Sequence, residues 1–342
     1  MVPCLLLGLL ACGTSDNQLT TGSNTDVYVA GWESIGFSCA AKVWKNGVAM
    51  TPPLSDGVHF SQGNSLAVSG SDVYVVGLEN NAIHDVAKIW KNGVAASLTD
   101  GTHNANALAV AISGSDVYVA GYENNETHWV AKVWKNGITM TPPLTDGTHD
   151  GYALAVVIFG SDVYVAGYEN NGTHLVAKVW KNGITMTPPL TDGTQNAKAF
   201  SVAVSGSNVY AAGYEYNGTH GVAKVWKNGI ALTPPLSDGT YNAQANSLAV
   251  YGNDIYIAED EFVSNGLNDI AKIWKNGVAT PLTDGTHPAS ADSIFVDGSD
   301  VYVAGYENNG TQYVAKVWKN GVAMTPSLMS GNDNFATSVV VH

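Results

Sequence analysis

From Asp26 to the end, apolar and polar residues alternate in short runs of period two, cut by glycine- or proline-bearing breaks. One run reads Asp116-Val117-Tyr118-Val119-Ala120-Gly121-Tyr122-Glu123, and another reads Val130-Ala131-Lys132-Val133-Trp134. Val, Tyr and Trp in alternation fit a pleated surface packed on both sides, so both runs predict strands. Shorter runs such as Ser65-Leu66-Ala67-Val68 and Ile138-Thr139-Met140-Thr141 predict a first and a fourth strand around them. The breaks carry their own chemistry. Asn-Gly in Lys135-Asn136-Gly137 suits the positive φ angles of a type I′ hairpin, and Gly70-Ser71 marks another tight turn. Proline pairs such as Pro142-Pro143 cannot donate to a ladder, which puts the fourth strand at an outer edge where they block further pairing.

This four-strand unit recurs seven times, most visibly as A-K-[VI]-W-K-N-G around Trp44, Trp90, Trp134, Trp180, Trp226, Trp274 and Trp318. Successive tryptophans lie 46, 44, 46, 46, 48 and 44 residues apart, a period that matches propeller blades rather than helical solenoids. The chain enters on a second strand, Asp26 to Gly31, and leaves on a first strand, Thr337 to Val341. The C-terminal strand therefore completes the N-terminal blade, closing the ring and leaving only short protected edges. The expectation is an all-β, seven-bladed β-propeller of four-stranded blades over 26–342. An open β-solenoid would need capping repeats, and the sequence has none.

The units D-V-Y-V-A-G…A-K-x-W-K-N-G…L-T-D-G-T resemble those of uncharacterised bacterial propeller-repeat lipoproteins, over about Asp26 to His342. The second strand is also similar to Y-V-T-N-type propeller repeats, with Ala-Gly in place of Thr-Asn. No WD signature, double-glycine kelch pattern, sialidase Asp-box or quinone-binding repeat occurs. Upstream, Leu5 to Ala11 is apolar but too short to cross a bilayer, as in an export signal. Leu9-Leu10-Ala11-Cys12 resembles the lipobox of bacterial lipoproteins. That resemblance implies a signal segment over 1–12, a lipid anchor on Cys12, and a polar tether over 13–25. It places the protein on the outer membrane or cell surface, touching membrane only through the anchor. An ordinary cleaved secretory signal, giving a periplasmic or secreted protein, is the alternative.

Charge narrows the partners. The 342 residues include 29 acidic and 15 basic groups, and all 15 basic residues are lysine. Charged residues make up 13% of the chain, against roughly 25% in ordinary domains. A net charge of −14 without arginine disfavours nucleic acid and gives a poor clamp for phosphates. A neutral or cationic partner suits such a surface better. Fourteen lysines belong to the A-K-x-W-K-N-G units, and only Lys198 lies outside them. Of Cys4, Cys12 and Cys39, one falls in the folded part, so no internal disulfide forms there.

In such a propeller the tight turns share one face, and the longer second-to-third and fourth-to-first loops share the other, where binding residues concentrate. That loop face receives His84, His128, His174 and His220, together with His59, His103, His149 and His287. Neighbouring blades stand too far apart for one ion to bridge equivalent histidines. Candidate metal pairs within a blade are His59/His84, His103/His128 and His149/His174. The competing reading is a turn-capping residue copied with the repeat. Glu33, Glu79, Glu123, Glu169, Glu215, Glu261 and Glu307 recur in all seven blades, and so read as structural partners of the third-strand lysine. Trp129, Tyr152, Tyr216, Tyr241, Tyr313 and Phe60 break the repeat on the loop face. They are candidates to stack on sugar rings or anchor a protein, the alternative being packing on their own loop stems. Glu259-Asp260-Glu261 concentrates negative charge and offers hard oxygens for Ca²⁺, without the spacing of a calcium loop.

The functional expectation is a non-enzymatic, monomeric cell-envelope binding protein that needs no cofactor and holds a glycan or protein ligand on the loop face. A carbohydrate-active hydrolase or lyase is the alternative, and a purely structural scaffold is a third. The hydrolase needs a unique acid/base set in a cleft, and the sequence presents no unrepeated one.

Overall fold

The computed structural model describes residues 25–263, 268–325, 328 and 332–342. The signal segment, Cys12 and all of the tether but Thr25 lie outside the described residues. The described chain forms seven four-stranded antiparallel sheets arranged as blades around an axis, a seven-bladed β-propeller. Blade 3 shows the pattern from the axis outward: Ala105–Ser113, Asp116–Asn124, Trp129–Lys135 and Ile138–Thr139. Blade 1 is completed by the C-terminal strand Asn334–Val341, which pairs with Val27–Ile35 in the register Val27↔Val341. Reciprocal backbone bonds between Asp26 and His342, at 2.9 and 3.0 Å, fasten that seam.

The repeat motif explains each blade locally. Asn136 (φ 51°) and Gly137 (φ 81°) make the type I′ turn that Asn-Gly favours. The Asn136 side chain then accepts the Val117 N–H at 2.8 Å and donates to Asp116 at 2.8 Å. Lys135 pairs with the other oxygen of Asp116 at 2.7 Å, so one turn holds the second and third strands together. The tryptophans fill the core between blades, with Trp90, Trp134, Trp180, Trp226 and Trp318 almost wholly buried. An indole of 150–250 Å² contributes roughly 4–6 kcal/mol at ~25 cal/mol per Å².

Two features differ from the sequence reading. The outer strand has only two residues in five blades; past Ile138–Thr139 a single bond from Met140 N to Val133 O, at 2.8 Å, is the last to the third strand before the chain turns away. Pro281 of blade 6 is an edge-strand residue, but Pro52, Pro142 and Pro188 lie past the strand and pack on the next blade's turn. A Cβ on Gly93 would stand 2.7 Å from Pro52 Cγ, and Gly183 and Gly229 meet Pro142 and Pro188 in the same way. A residue without an N–H suits this interblade contact, because no ladder bond is lost.

Candidate binding face at the channel mouth

Every inner strand carries a bulge near its loop end. In blade 4 the ladder register jumps from Ala153 to Ala155 and leaves Leu154 unpaired. The same jump frees Asn64, Leu108, Phe200, Asn246, Asp292 and Thr337 in the other blades. A bulge re-aims the side chain it frees, and here the seven freed residues line a channel cavity of about 280 Å³. Where they are polar, they fasten blade to blade. Asn64 donates to Ala107 O at 2.9 Å, Asn246 to Ala291 O at 3.0 Å, and Thr337 to Gly63 O at 2.7 Å. Leu108, Leu154 and Phe200 make the opposite wall apolar.

Two residues nearer the loops stand Gln62, Asn106, Tyr152, Lys198, Gln244, Ser290 and Phe335. Their second-strand partners are Leu78, Tyr122, Tyr168, Tyr214, Asp260, Tyr306 and Trp32. Across blades 3 to 5 these positions build a continuous aromatic platform. Tyr122 meets Trp129 edge-on at 5.1 Å and Tyr152 at 4.8 Å, and Tyr152 stacks on Tyr168 at 4.7 Å. Lys198 caps the row, 4.5 Å from the centre of the Tyr168 ring. Burial, reinforced by Asp150 and Tyr122, pushes the Tyr152 phenol up to about 12, and burial raises Tyr122 and Tyr168 too. All three stay neutral hydroxyls near pH 7. Burial also lowers the Lys198 ammonium.

The other expected aromatics fall into separate groups. Tyr216 and Tyr241 face a cavity of about 580 Å³ between blades 5 and 6. Tyr313 joins Tyr306, Phe335 and Trp32, with Trp32 stacked on Phe335 at 4.0 Å. Phe60 stands exposed in the loop before the inner strand of blade 2. The sequence reading passed over Tyr122, Tyr168, Tyr214 and Tyr306 because they look like repeat consensus. The signal that finds them is their inner-strand partners, which differ from blade to blade.

The acidic run of blade 6 is divided among separate partners rather than gathered as one cation site. Glu261 pairs with Lys272, as all the repeated glutamates pair with their third-strand lysines. Glu259 is wholly buried and accepts the Trp274 indole N–H, and burial pushes its carboxyl up to about 7. Asp260 accepts from Ala291 N at 2.7 Å, Ser290 Oγ at 2.7 Å and Asn246 Nδ2 at 2.8 Å. Ser290 Oγ also lies 2.7 Å from Asp292. One hydroxyl proton cannot serve two carboxylates, so this arrangement requires an additional proton. Burial raises both acids above the carboxylate range, and Asp260 raises Asp292 further.

The histidines sit in Thr-His turns. His103, His128 and His174 each share Nδ1 with the preceding threonine hydroxyl at 3.0 Å, and His149 does so at 3.1 Å. The rings of His128 and His149 lie 6.4 Å apart, while His103 Nε2 approaches Glu126 at 3.7 Å. His84 N donates to Asn81 Oδ1 at 2.8 Å in its turn, and His59 is exposed. Among the described residues no three His, Cys, Asp or Glu side chains gather to hold a metal ion.

No family model and no curated protein matches the chain. Among solved structures it is similar to a thermostable family-43 glycoside hydrolase, at 11% identity and TM-score 0.41, covering 66% of this chain and 94% of that one. It is similar to the subtype N10 neuraminidase-like protein of A/little yellow-shouldered bat/Guatemala/060/2010, at 7% identity and TM-score 0.49, covering 82% and 96%. It is also similar to dipeptidyl peptidase 4 of Porphyromonas gingivalis, at 12% identity and TM-score 0.43, where 85% of this chain spans 49% of the peptidase. No activity is carried over from these likenesses.

Proposed function

We propose that the chain is a non-enzymatic binding protein of the cell envelope that holds a glycan on the loop face, across the mouth of the channel. The observation that carries this reading is the unbroken row Trp129, Tyr122, Tyr152, Tyr168 and Lys198. Tyr168 is buried as a support beneath the row, while the half-buried rings of Trp129, Tyr122 and Tyr152 present an apolar body and a polar edge, which matches the two faces of a sugar ring. The row draws on three blades, and Trp129, Tyr152 and Lys198 in it are unrepeated. Display of this face outside the cell follows if Cys12 carries a lipid anchor, in line with its lipobox-like setting and the lipoprotein-like repeats. A protein ligand using the same aromatics as anchors is the second binding reading.

A hydrolase reading draws on Asp292, a channel-lining acid raised as a general acid would be. Two carboxyl groups must face the substrate in that chemistry. Asp260, the neighbour, is buried under three donors, which favours binding over hydrolysis. The test is a glycan array probed with the full chain. Retention of one structural family of glycans supports the proposal, whereas silence on the array with protein partners recovered by pull-down moves the ligand to a protein.

A further inference from the structure

We infer that the cleft between blades 5 and 6 is a separate subsite for one uncharged pyranose ring, opened by a single residue, Gly221. The inference rests on the glycan-binding reading above. At the head of the third strand, blades 2 to 7 carry Asp85, Trp129, Leu175, Gly221, Asp269 and Tyr313 in turn. Blade 5 alone has no side chain there. In blade 3 the Trp129 ring covers Tyr122 at 5.1 Å, and in blade 7 Tyr313 covers Tyr306 at 5.5 Å. Blade 5 has the corresponding tyrosine, Tyr214, but above it lies an open cavity of about 580 Å³. The cleft is the room that a side chain fills in those blades.

Nothing in the backbone requires this glycine. Gly221 is not among the residues with positive φ, and a Cβ placed on it would meet Tyr214 Cδ2 at 3.4 Å and Tyr216 Cε2 at 3.6 Å. Glycine within a strand weakens it and often marks a place where a ligand approaches the backbone closely. The volume falls within the roughly 300–1,000 Å³ of small-molecule sites.

The lining sets the chemistry of the occupant. Tyr214 and Tyr216 stand edge-to-face at 6.0 Å, and Tyr241 and Phe262 supply further aromatic surface. Asn242 Oδ1 is taken by the Gly221 N–H at 2.8 Å, which fixes that amide. Its own N–H donors, and the amide of Gln244, have no partner among the described residues. No lysine, aspartate or glutamate lines the cleft. A pyranose uses all of this, with its C–H face on the rings and its hydroxyls on the amides. His220 is the one basic side chain in the lining, and a uronate or a phosphate would find no lysine to pair with, since Lys198 is turned onto Tyr168.

The test is calorimetric titration of the full chain with cellotriose, N,N′,N″-triacetylchitotriose and trigalacturonate as probes. At least one neutral trisaccharide is expected to bind more tightly than trigalacturonate, and Gly221→Leu is expected to weaken it by about tenfold or more. Gly221→Leu installs what blade 4 carries at Leu175, so its Tm should match the parent. Should it fold poorly, Tyr241→Ala in the exposed loop serves instead, with the same expected loss. Parental affinity in both variants, alongside a loss in Tyr152→Ala, overturns this subsite and leaves the glycan reading standing. Tighter binding of trigalacturonate, or no binding of either neutral probe, overturns the inference even where the array finds another glycan.

Discussion

The Lys198 ammonium stands 4.5 Å from the centre of the Tyr168 ring, across the junction of blades 5 and 4. Its setting differs from that of the repeat lysines, thirteen of which pair with an aspartate or glutamate. A lysine held by a ring quadrupole rather than a carboxylate can be drawn away by a ligand that offers more.

That contrast sets an order of deprotonation. Hydrogen bonds donated to their aspartates raise Lys45, Lys91, Lys135, Lys181 and Lys319, while burial lowers Lys198. Following the ¹³C resonances of reductively methylated lysines with pH, Lys198 is expected to lose its proton before any of those five. A Lys198 resonance that moves together with them contradicts the assignment.

The buried carboxyl of Glu259 gives a dependence of stability on pH. Its folded value is raised to about 7, against ~4.3 when unfolded. Between those values the folded state holds the proton more tightly, so stability falls as pH rises through the window. At ~1.4 kcal/mol per unit the loss across that window is about 4 kcal/mol by pH 8. Urea unfolding at pH 4.5, 6 and 8 should show a flatter decline in Glu259→Gln than in the parent. Asp260 and Asp292 titrate in both proteins, so the difference between the two curves isolates Glu259. Parallel curves contradict the burial argument.

Two turn glycines separate backbone strain from packing. Gly93 and Gly137 share nearly the same conformation, with φ of 83° and 81°. A Cβ on Gly93 would collide with Pro52, whereas one on Gly137 would have nothing within 4 Å. Both alanine variants bear the left-handed cost of roughly 1–2 kcal/mol. Gly93→Ala is expected to lose about a further 1 kcal/mol or more in denaturant unfolding. Equal losses would mean that the proline clasp adds nothing between blades.

The blades, their turns and the closing strand were legible because each rests on local chemistry repeated seven times. Asn-Gly dictates its turn, alternation dictates the strand, and Trp44 through Trp318 mark the period. The binding face was legible only in part, and the reason is the bulge. A strict period of two, carried through Tyr152-Ala153-Leu154-Ala155, does not reveal where the extra residue falls, and so hides the channel-facing set that includes Phe200, Asn246 and Asp292. Tyr122 and Tyr168 were hidden differently. They recur in the repeat, and what makes them a platform is the neighbour each meets across the ladder. The acidic run of blade 6 read as one cluster because sequence cannot show that Trp274, Ser290 and Lys272 divide it.

The central claim is that the tyrosine row at the channel mouth is the ligand platform. Its most direct test is the affinity of the best-bound array glycan for the parent chain and for Trp129→Ala/Tyr152→Ala, measured by calorimetry, with circular dichroism confirming an intact fold. The account predicts a loss of about a hundredfold or more in affinity with the β-sheet spectrum unchanged. Parental affinity in the doubly substituted, folded chain would contradict it.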